Sequence, residues 1–142
     1  MKPIHILLVE DNEGDILLTT EALNDRKIAN EVSVARDGTE ALDFLRKTGK
    51  FSEAATPDLI LLDINLPKMN GHDVLGVIKN DDELKKIPVI MLTTSSSKRD
   101  IDKSYEKGAN CYITKPVDMD DFLHTISSIE NFWISVVQLP TR

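Results

Sequence analysis

Three short, nearly continuous apolar runs along the chain predict buried β-strands. They are IHILLV at residues 4–9, DLILL at 58–62 and PVIMLTT at 88–94. Because a strand covered on both faces reads as a continuous apolar run, we expect these three at the centre of a sheet. EVSVA at 31–35 and CYIT at 111–114 are weaker strand patterns. Short or half-covered strands of this kind are typical of the edges of a sheet.

The segments between the predicted strands carry apolar residues at helical spacing. The successive stripes are Ile16, Leu17, Leu18, Ala22 and Leu23; Ala41, Leu42 and Leu45; Val74, Leu75 and Ile78; Ile101, Tyr105 and Ala109; and Phe122, Ile126, Ile129 and Trp133. Strand and helix alternate five times, which predicts an α/β fold with a doubly wound, five-stranded parallel sheet. Placing the three buried strands centrally gives the strand order 2-1-3-4-5. Residues 48–56 are predicted to form a polar loop.

Length and charge narrow the class of protein. A chain of 142 residues is about one domain. With 17 Lys and Arg against 24 Asp and Glu, the formal net charge is −7, which counts against binding to nucleic acid or to an anionic membrane. Cys111 is the single cysteine and cannot form an internal disulfide. The early apolar run is too short for a signal peptide or a membrane span, so we expect a soluble, cytoplasmic protein.

Charged and polar residues follow four of the predicted strands at the point where each strand ends. Glu10 and Asp11 follow the first strand, Asp63 the third, Thr93 ends the fourth and Lys115 follows the fifth. The predicted strand order reverses between strands 1 and 3, and ligands of such sheets bind at the carboxyl ends of strands beside that reversal. Each acidic residue alone could simply cap a helix. Together, however, the carboxylates favour a hard cation with oxygen ligands, and Mg²⁺ suits them.

Four segments in this order resemble the response-regulator receiver domain over about residues 3–130. They are LLVEDN, LILLDINLPKMNG, PVIMLTTS and GANCYITKPVD. The resemblance implies the five-stranded flavodoxin-like (CheY-like) fold described above. It also implies a signalling protein rather than an enzyme, one that accepts a phosphoryl group from a sensor histidine kinase or a phosphotransfer protein.

The resemblance assigns a metal site and a phosphoacceptor. Asp63 matches the phosphoacceptor, a nucleophile toward phosphohistidine or a small phosphodonor. Asp11 and Asp63 would bind Mg²⁺ directly, Glu10 would bind it through water, and the backbone carbonyl of Asn65 would complete the protein ligands. An aspartate-nucleophile phosphatase is a weaker alternative, because Asn65 stands where such an enzyme would carry a second aspartate.

The resemblance also assigns the residues that respond to the phosphoryl group. Lys115 would pair with one phosphoryl oxygen, and the Thr93 hydroxyl would donate to another. Pro116 matches a position that follows a cis peptide bond in the family. Tyr112 matches an aromatic switch that forms part of the signalling surface. Its alternative role is that of an edge-strand tyrosine packed against a helix.

An apolar segment follows the predicted receiver domain of residues 1–131. It spans residues 132–142, contains Phe132 and Trp133, and continues the last helical stripe. It is too short for a DNA-binding module, so we expect protein partners rather than nucleic acid. Together with the receiver motifs, this segment most resembles small single-domain receivers that partner cyanobacterial-type phytochrome kinases. We expect it to contribute to a homodimer, with packing on its own domain as the alternative.

The sequence therefore predicts a stand-alone response regulator of a two-component phosphorelay, which signals through phosphorylation-dependent protein contacts. The alternative function is a phosphorylation-independent interaction module on the same fold. Asp63, Asp11, Thr93 and Lys115 are all intact, which favours the first function.

Overall fold

Strands and helices alternate along the chain in the computed structural model, which describes residues 4–25, 31–116, 118 and 120–122. The strands are β1 (His5–Val9), β2 (Glu31–Ala35), β3 (Leu59–Leu62), β4 (Val89–Thr93) and β5 (Cys111–Thr114). The helices are α1 (Glu13–Asp25), α2 (Gly38–Arg46), α3 (Gly71–Lys79) and α4 (Lys98–Glu106), with 3₁₀ turns at Gly49–Phe51 and Leu84–Lys86. Residues 120–122 are also helical.

The five strands form one parallel sheet in the order β2-β1-β3-β4-β5, as predicted. In the central register Leu8 lies beside Leu61, and Leu61 lies beside Ile90. The chain moves from β1 outward to β2 and then returns past β1 to β3. This reversal leaves a crevice at the carboxyl ends of β1 and β3, which we call the carboxyl edge of the sheet.

The core has two layers, one on each face of the sheet. Side chains alternate between the faces along a strand. Leu7 and Val9 pack in the first core layer, and Ile6 and Leu8 pack in the second core layer on the opposite face. All residues of β1, β3 and β4 are buried, whereas β2 and β5 are only partly covered. The prediction of three central and two edge strands is therefore confirmed.

Two predicted helical stripes are wrong in part. On α1, Ile16 and Leu23 are buried, but Leu17 and Leu18 are 58% and 67% exposed. Successive helical residues are about 100° apart, so Leu17 and Leu18 turn away from the face that Ile16 and Leu23 share. On α4, Tyr105 is 49% exposed.

The buried position of α4 is a serine rather than an apolar residue. Ser104 is fully buried, and its hydroxyl donates to the Asp100 carbonyl at 2.8 Å. Because this hydroxyl is satisfied by a hydrogen bond, it can occupy the core-facing position that the apolar pattern assigned to Tyr105. Ala109 is buried as expected but lies after the helix has ended.

The segment at 48–56 is not wholly a polar loop. It contains the 3₁₀ turn Gly49–Phe51, and the Phe51 ring packs edge-to-face on Phe44 with 5.3 Å between ring centroids. The aromatic contact draws this segment onto the core beside α2.

Phe122 is buried against β1, β3 and β4 residues of the second core layer. The rest of the predicted last stripe, the domain boundary at 131 and the segment 132–142 with Phe132 and Trp133 lie outside the described residues. Among the helices that the structure describes, none combines the length and the apolar character needed to cross a bilayer.

Candidate functional site

The predicted site residues meet at the carboxyl edge of the sheet because they follow neighbouring parallel strands. Glu10 and Asp63 are buried just beyond β1 and β3, and Thr93 is fully buried at the end of β4. The Lys115 side chain, just beyond β5, is 8% exposed. Asp11 is exposed. The structure therefore brings together buried groups of both charges beside a carboxylate that faces solvent.

Glu10, Asp11 and Asp63 form the acidic part of the site. Each offers a carboxylate oxygen, and the three oxygens lie within 4.8 Å of one another. Two like charges about 4 Å apart repel by about 4 kcal/mol at an effective dielectric constant near 20. This repulsion is a large fraction of the free energy of unfolding of a domain, which is about 5–15 kcal/mol. Oxygen ligands at this spacing, with one side open to water, fit a divalent cation.

A tight turn holds Asp63 in place. The Ile64 N–H donates to Asp63 Oδ1 at 2.7 Å, and the Asp63 N–H donates to the Val9 carbonyl at 3.1 Å. Gly71, the first residue of α3, packs so closely that a Cβ there would lie 2.0 Å from the Asp63 carbonyl oxygen. Asn65 lies exposed in the same turn. The Asp63 carboxylate is thus presented at the carboxyl edge by backbone that only glycine can approach.

Lys115 joins the carboxylates. Its ammonium donates to Glu10 Oε1, to Asp15 Oδ2 at 2.9 Å and to Asp63 Oδ2 at 3.2 Å. Burial by itself would lower the pKa of Lys115, but the hydrogen bonds to Glu10 and Asp15 and the charge of Asp63 raise it well above its ordinary value. Lys115 is therefore a permanent cation at this edge. The Lys115–Pro116 peptide bond is cis, as the resemblance implied.

The environment of the Glu10 carboxylate opposes its negative charge. Burial raises its pKa, and the nearby Asp63 charge raises it further, while the hydrogen bond from Lys115 acts in the opposite direction. Its other oxygen, Oε2, accepts the Asn12 N–H at 3.2 Å. Both oxygens of Glu10 therefore have protein partners.

Asp15 also belongs to this site, although the sequence motifs do not indicate it. It lies in the first turn of α1, five residues after Glu10, and its carboxylate contacts Lys115 directly. An acidic residue in a first helical turn normally suggests interaction with the helix dipole. The position of Asp15 in the sequence could have indicated this role. Helix α1 begins next to the carboxyl edge, so an acidic side chain in its first turn lies within reach of the site.

Thr93 and Tyr112 are linked through the loop after β4. The Ser95 N–H donates to Thr93 Oγ1 at 3.4 Å, and the Tyr112 hydroxyl donates to the Ser95 carbonyl at 2.8 Å. The Ser95 hydroxyl in turn donates to Asp100 Oδ2 at 2.5 Å, near the start of α4. The half-buried Tyr112 also packs against the first core layer. A chain of hydrogen bonds thus runs from the carboxyl edge to α4.

Comparison with known proteins gives a family and a set of relatives. The response regulator receiver domain matches residues 6–127. The response regulator Rcp1 of Synechocystis sp. is 44% identical over 138 residues, covering 97% of this chain and 94% of Rcp1. The phosphorylated cyanobacterial phytochrome response regulator RcpA is 47% identical with a TM-score of 0.80, covering 97% of this chain and 99% of RcpA.

Two further solved structures are similar in fold and sequence. Rcp1 in its Mn²⁺-bound form superimposes with a TM-score of 0.79 and covers 97% of this chain and 99% of that structure. The bacteriophytochrome response regulator AtBRR is 46% identical with a TM-score of 0.84, covering 94% of this chain and 96% of AtBRR. These similarities confirm the predicted receiver family and its resemblance to regulators of the phytochrome type.

Proposed function

This chain belongs to the response regulator receiver family, and on that premise we propose that it accepts a phosphoryl group on Asp63 from a sensor histidine kinase or a phosphotransfer protein. The observation that carries the proposal is the position of Asp63. Its carboxylate is buried at the end of a central strand, 3.2 Å from the Lys115 ammonium and beside Glu10 and Asp11. A nucleophile and the charges needed to receive a phosphoryl group are thus together.

The transfer needs positioning and charge neutralisation more than further covalent chemistry. One Asp63 oxygen forms the new bond to phosphorus, and the bond between phosphorus and the donor's histidine nitrogen breaks. That nitrogen keeps the bonding electrons and takes up a proton from solvent. Lys115 then pairs with a phosphoryl oxygen, where negative charge accumulates.

The acidic part of the site is proposed to hold Mg²⁺. Asp11 and Asp63 would bind the ion directly, Glu10 through water, and Asn65 through its backbone carbonyl. When bound, Mg²⁺ supplies positive charge to the phosphoryl oxygens and offsets the repulsion among the carboxylates. The solved structure of Mn²⁺-bound Rcp1 supports a divalent ion in a relative of this chain.

Thr93 and Tyr112 are proposed to carry the signal away from Asp63. In the structure Thr93 Oγ1 accepts a hydrogen bond from Ser95, which leaves the hydroxyl hydrogen for a phosphoryl oxygen. Turning Thr93 toward a phosphoryl group would break its contact with Ser95. Because Tyr112 donates to the same loop, the surface made by α4 and β5 would change with it.

The partner is proposed to be a histidine kinase of the phytochrome type. The support is the similarity to RcpA and AtBRR, whose names state that they are phytochrome and bacteriophytochrome response regulators. Signalling then proceeds through protein contacts on the surface of α4 and β5, with residues 132–142 as a proposed addition to it.

Mass spectrometry after incubation with phosphoramidate and Mg²⁺ tests the proposal. We expect the wild-type chain to gain one phosphoryl group on Asp63 and Asp63→Asn to gain none. Asp73→Asn, which neutralises an exposed carboxylate on α3, should label like the wild type. Undiminished labelling of Asp63→Asn would refute the assignment. An unlabelled wild type would favour the phosphorylation-independent module, and continuous turnover of the donor would favour a phosphatase.

A further inference from the structure

Asp15 is a carboxylate partner of Lys115 that does not belong to the acidic group Glu10, Asp11 and Asp63. Its Oδ2 lies 2.9 Å from the Lys115 ammonium, and the two side chains are 33% and 8% exposed. We propose that Asp15 is a positioning residue that keeps the Lys115 ammonium at the carboxyl edge once a divalent cation engages Glu10 and Asp63. Its part in phosphoryl transfer rests on the proposed function, but its effect on Mg²⁺ binding can be measured without any phosphoryl group.

The Lys115 ammonium is surrounded by three carboxylate acceptors. Lys115 contacts Glu10, Asp15 and Asp63, and an ammonium has three hydrogens to donate. Glu10 and Asp63, but not Asp15, also belong to the group of carboxylates close enough to share a metal ion. A cation that draws Glu10 and Asp63 toward itself therefore competes with Lys115 for both of them.

A nearly buried ammonium that loses its partners is strongly destabilised. With Asp15 present, Lys115 retains one carboxylate while the other two turn to the cation. Without Asp15, the carboxylate partners of Lys115 among the described residues are Glu10 and Asp63. Lys115 then competes with the cation for both of them. Asp15 should therefore strengthen Mg²⁺ binding by more than its charge alone would.

The backbone places Asp15 for this contact. Its N–H donates to Asn12 Oδ1 at 2.9 Å, and the Asn12 N–H donates to Glu10 Oε2 at 3.2 Å. Asn12 thus fixes the start of α1 relative to Glu10 through both its side chain and its backbone. Because these bonds are short-range, the first turn of α1 holds the Asp15 carboxylate at a set distance from the carboxyl edge.

Glu13 provides a matched control from the same helical turn. Its carboxylate is 72% exposed and pairs with Arg36 at 2.7 Å. Glu13→Gln and Asp15→Asn change the net charge equally, and each keeps the shape of the side chain. Glu13→Gln loses an exposed ion pair with Arg36, whereas Asp15→Asn loses the ion pair with Lys115. A difference between the variants therefore separates the ion pair with Lys115 from the general effect of charge.

The experiment is a double-mutant cycle on Mg²⁺ affinity, measured by calorimetry at constant ionic strength. Asp15→Asn should raise the dissociation constant at least about threefold, a coupling typical of residues in contact, and Glu13→Gln clearly less. In a Lys115→Met background the effect of Asp15→Asn should shrink to that of Glu13→Gln, and Asp15→Glu should restore much of the wild-type affinity. Thermal unfolding without Mg²⁺ verifies that each variant is folded.

Equal effects of Asp15→Asn and Glu13→Gln, or an unchanged effect of Asp15→Asn in the Lys115→Met background, would overturn the positioning role. At saturating Mg²⁺ we further expect Asp15→Asn to slow labelling of Asp63 by phosphoramidate at least about threefold. A wild-type chain that is not labelled, with the coupling to Lys115 intact, would refute the proposed function and leave the positioning of Lys115 standing. A wild-type chain that is labelled on Asp63, but shows no coupling between Asp15 and Lys115, would support the proposed function and refute the positioning role of Asp15.

Discussion

The His72 ring of α3 and the Ser104 hydroxyl of α4 meet in the protein interior, with 2.9 Å between Nε2 and Oγ. His72 is 4% exposed and Ser104 is fully buried. Ser104 also donates to the Asp100 carbonyl at 2.8 Å. This polar contact ties α4 to α3, next to the loop through which Tyr112 and Thr93 are linked.

The first prediction concerns pH. Burial lowers the pKa of His72; the Lys103 and Lys107 charges also lower it, while the Asp100 carbonyl and carboxylate oppose them. The unfolded chain therefore binds more protons at His72 than the native protein does below a pH of about 6.5, the ordinary histidine value. The free energy of unfolding should fall as the pH drops from about 6.5 toward the folded pKa, by at most about 1.4 kcal/mol per pH unit from this residue.

Urea unfolding of the wild type and of His72→Gln between pH 5.5 and 8 measures that contribution. (This range extends from about one unit below to about 1.5 units above the ordinary histidine value.) The variant should be less stable by about 1–2 kcal/mol at the upper end, where the buried hydrogen bond counts most. The difference should narrow toward the acid end. A constant difference across the range would show that His72 does not titrate during unfolding.

The second prediction concerns the close approach of Gly71 to Asp63. Gly71→Ala should destabilise the protein by about 1–3 kcal/mol, because the new Cβ would overlap backbone that cannot give way. It should also slow labelling of Asp63 by phosphoramidate, since the turn that presents the carboxylate must shift. Urea unfolding and mass spectrometry give the two measurements.

Gly76→Ala is the control within the same helix. A Cβ there would meet its nearest neighbour, the Lys107 ammonium, at an ordinary 3.5 Å. Alanine is a better helix former than glycine, so Gly76→Ala should stabilise the protein by about 0.4–1 kcal/mol. Equal effects of the two substitutions would contradict the steric argument at Gly71.

The third prediction concerns the cation. Because Mg²⁺ offsets repulsion among Glu10, Asp11 and Asp63, it should stabilise the folded protein. At about 100 times its dissociation constant the gain is about 2.7 kcal/mol. Thermal melts with and without Mg²⁺ should show an upward shift for the wild type. Asp11→Ala should lose most of this shift and Asp73→Ala should keep it. The same shift in all three proteins would exclude Asp11 as a ligand.

The fourth prediction concerns residues 132–142. We expect a two-fold homodimer through α4, β5, the last helix and this segment, strengthened when Asp63 is phosphorylated. Aromatic residues such as Trp often anchor interfaces, so Trp133→Ala and a chain ending at Asn131 should dimerise more weakly. Analytical ultracentrifugation of the three proteins, with and without phosphoramidate, measures this. If all three remain monomeric, the segment serves packing or kinase contact instead.

The amino-acid sequence by itself determined the order of the elements and the edge at which the site forms. Continuous apolar runs mark β1, β3 and β4 because buried strands need apolar residues on both faces. Once the sheet is parallel, the chemical groups that follow neighbouring strands lie at the same edge, as Glu10 after β1 and Asp63 after β3 do. Both inferences depend on local patterns and chain connectivity, which a linear sequence contains.

Tertiary structure alone decided how the helices are rotated and which side chains reach one another. Leu17 and Leu18 fit a helical stripe but face outward, while Ser104 is buried because His72 lies opposite it. The contact between Asp15 and Lys115 joins residues 100 positions apart. It depends on the angle at which α1 leaves β1 and on the reach of the long Lys115 side chain, and neither is encoded in the spacing of apolar residues.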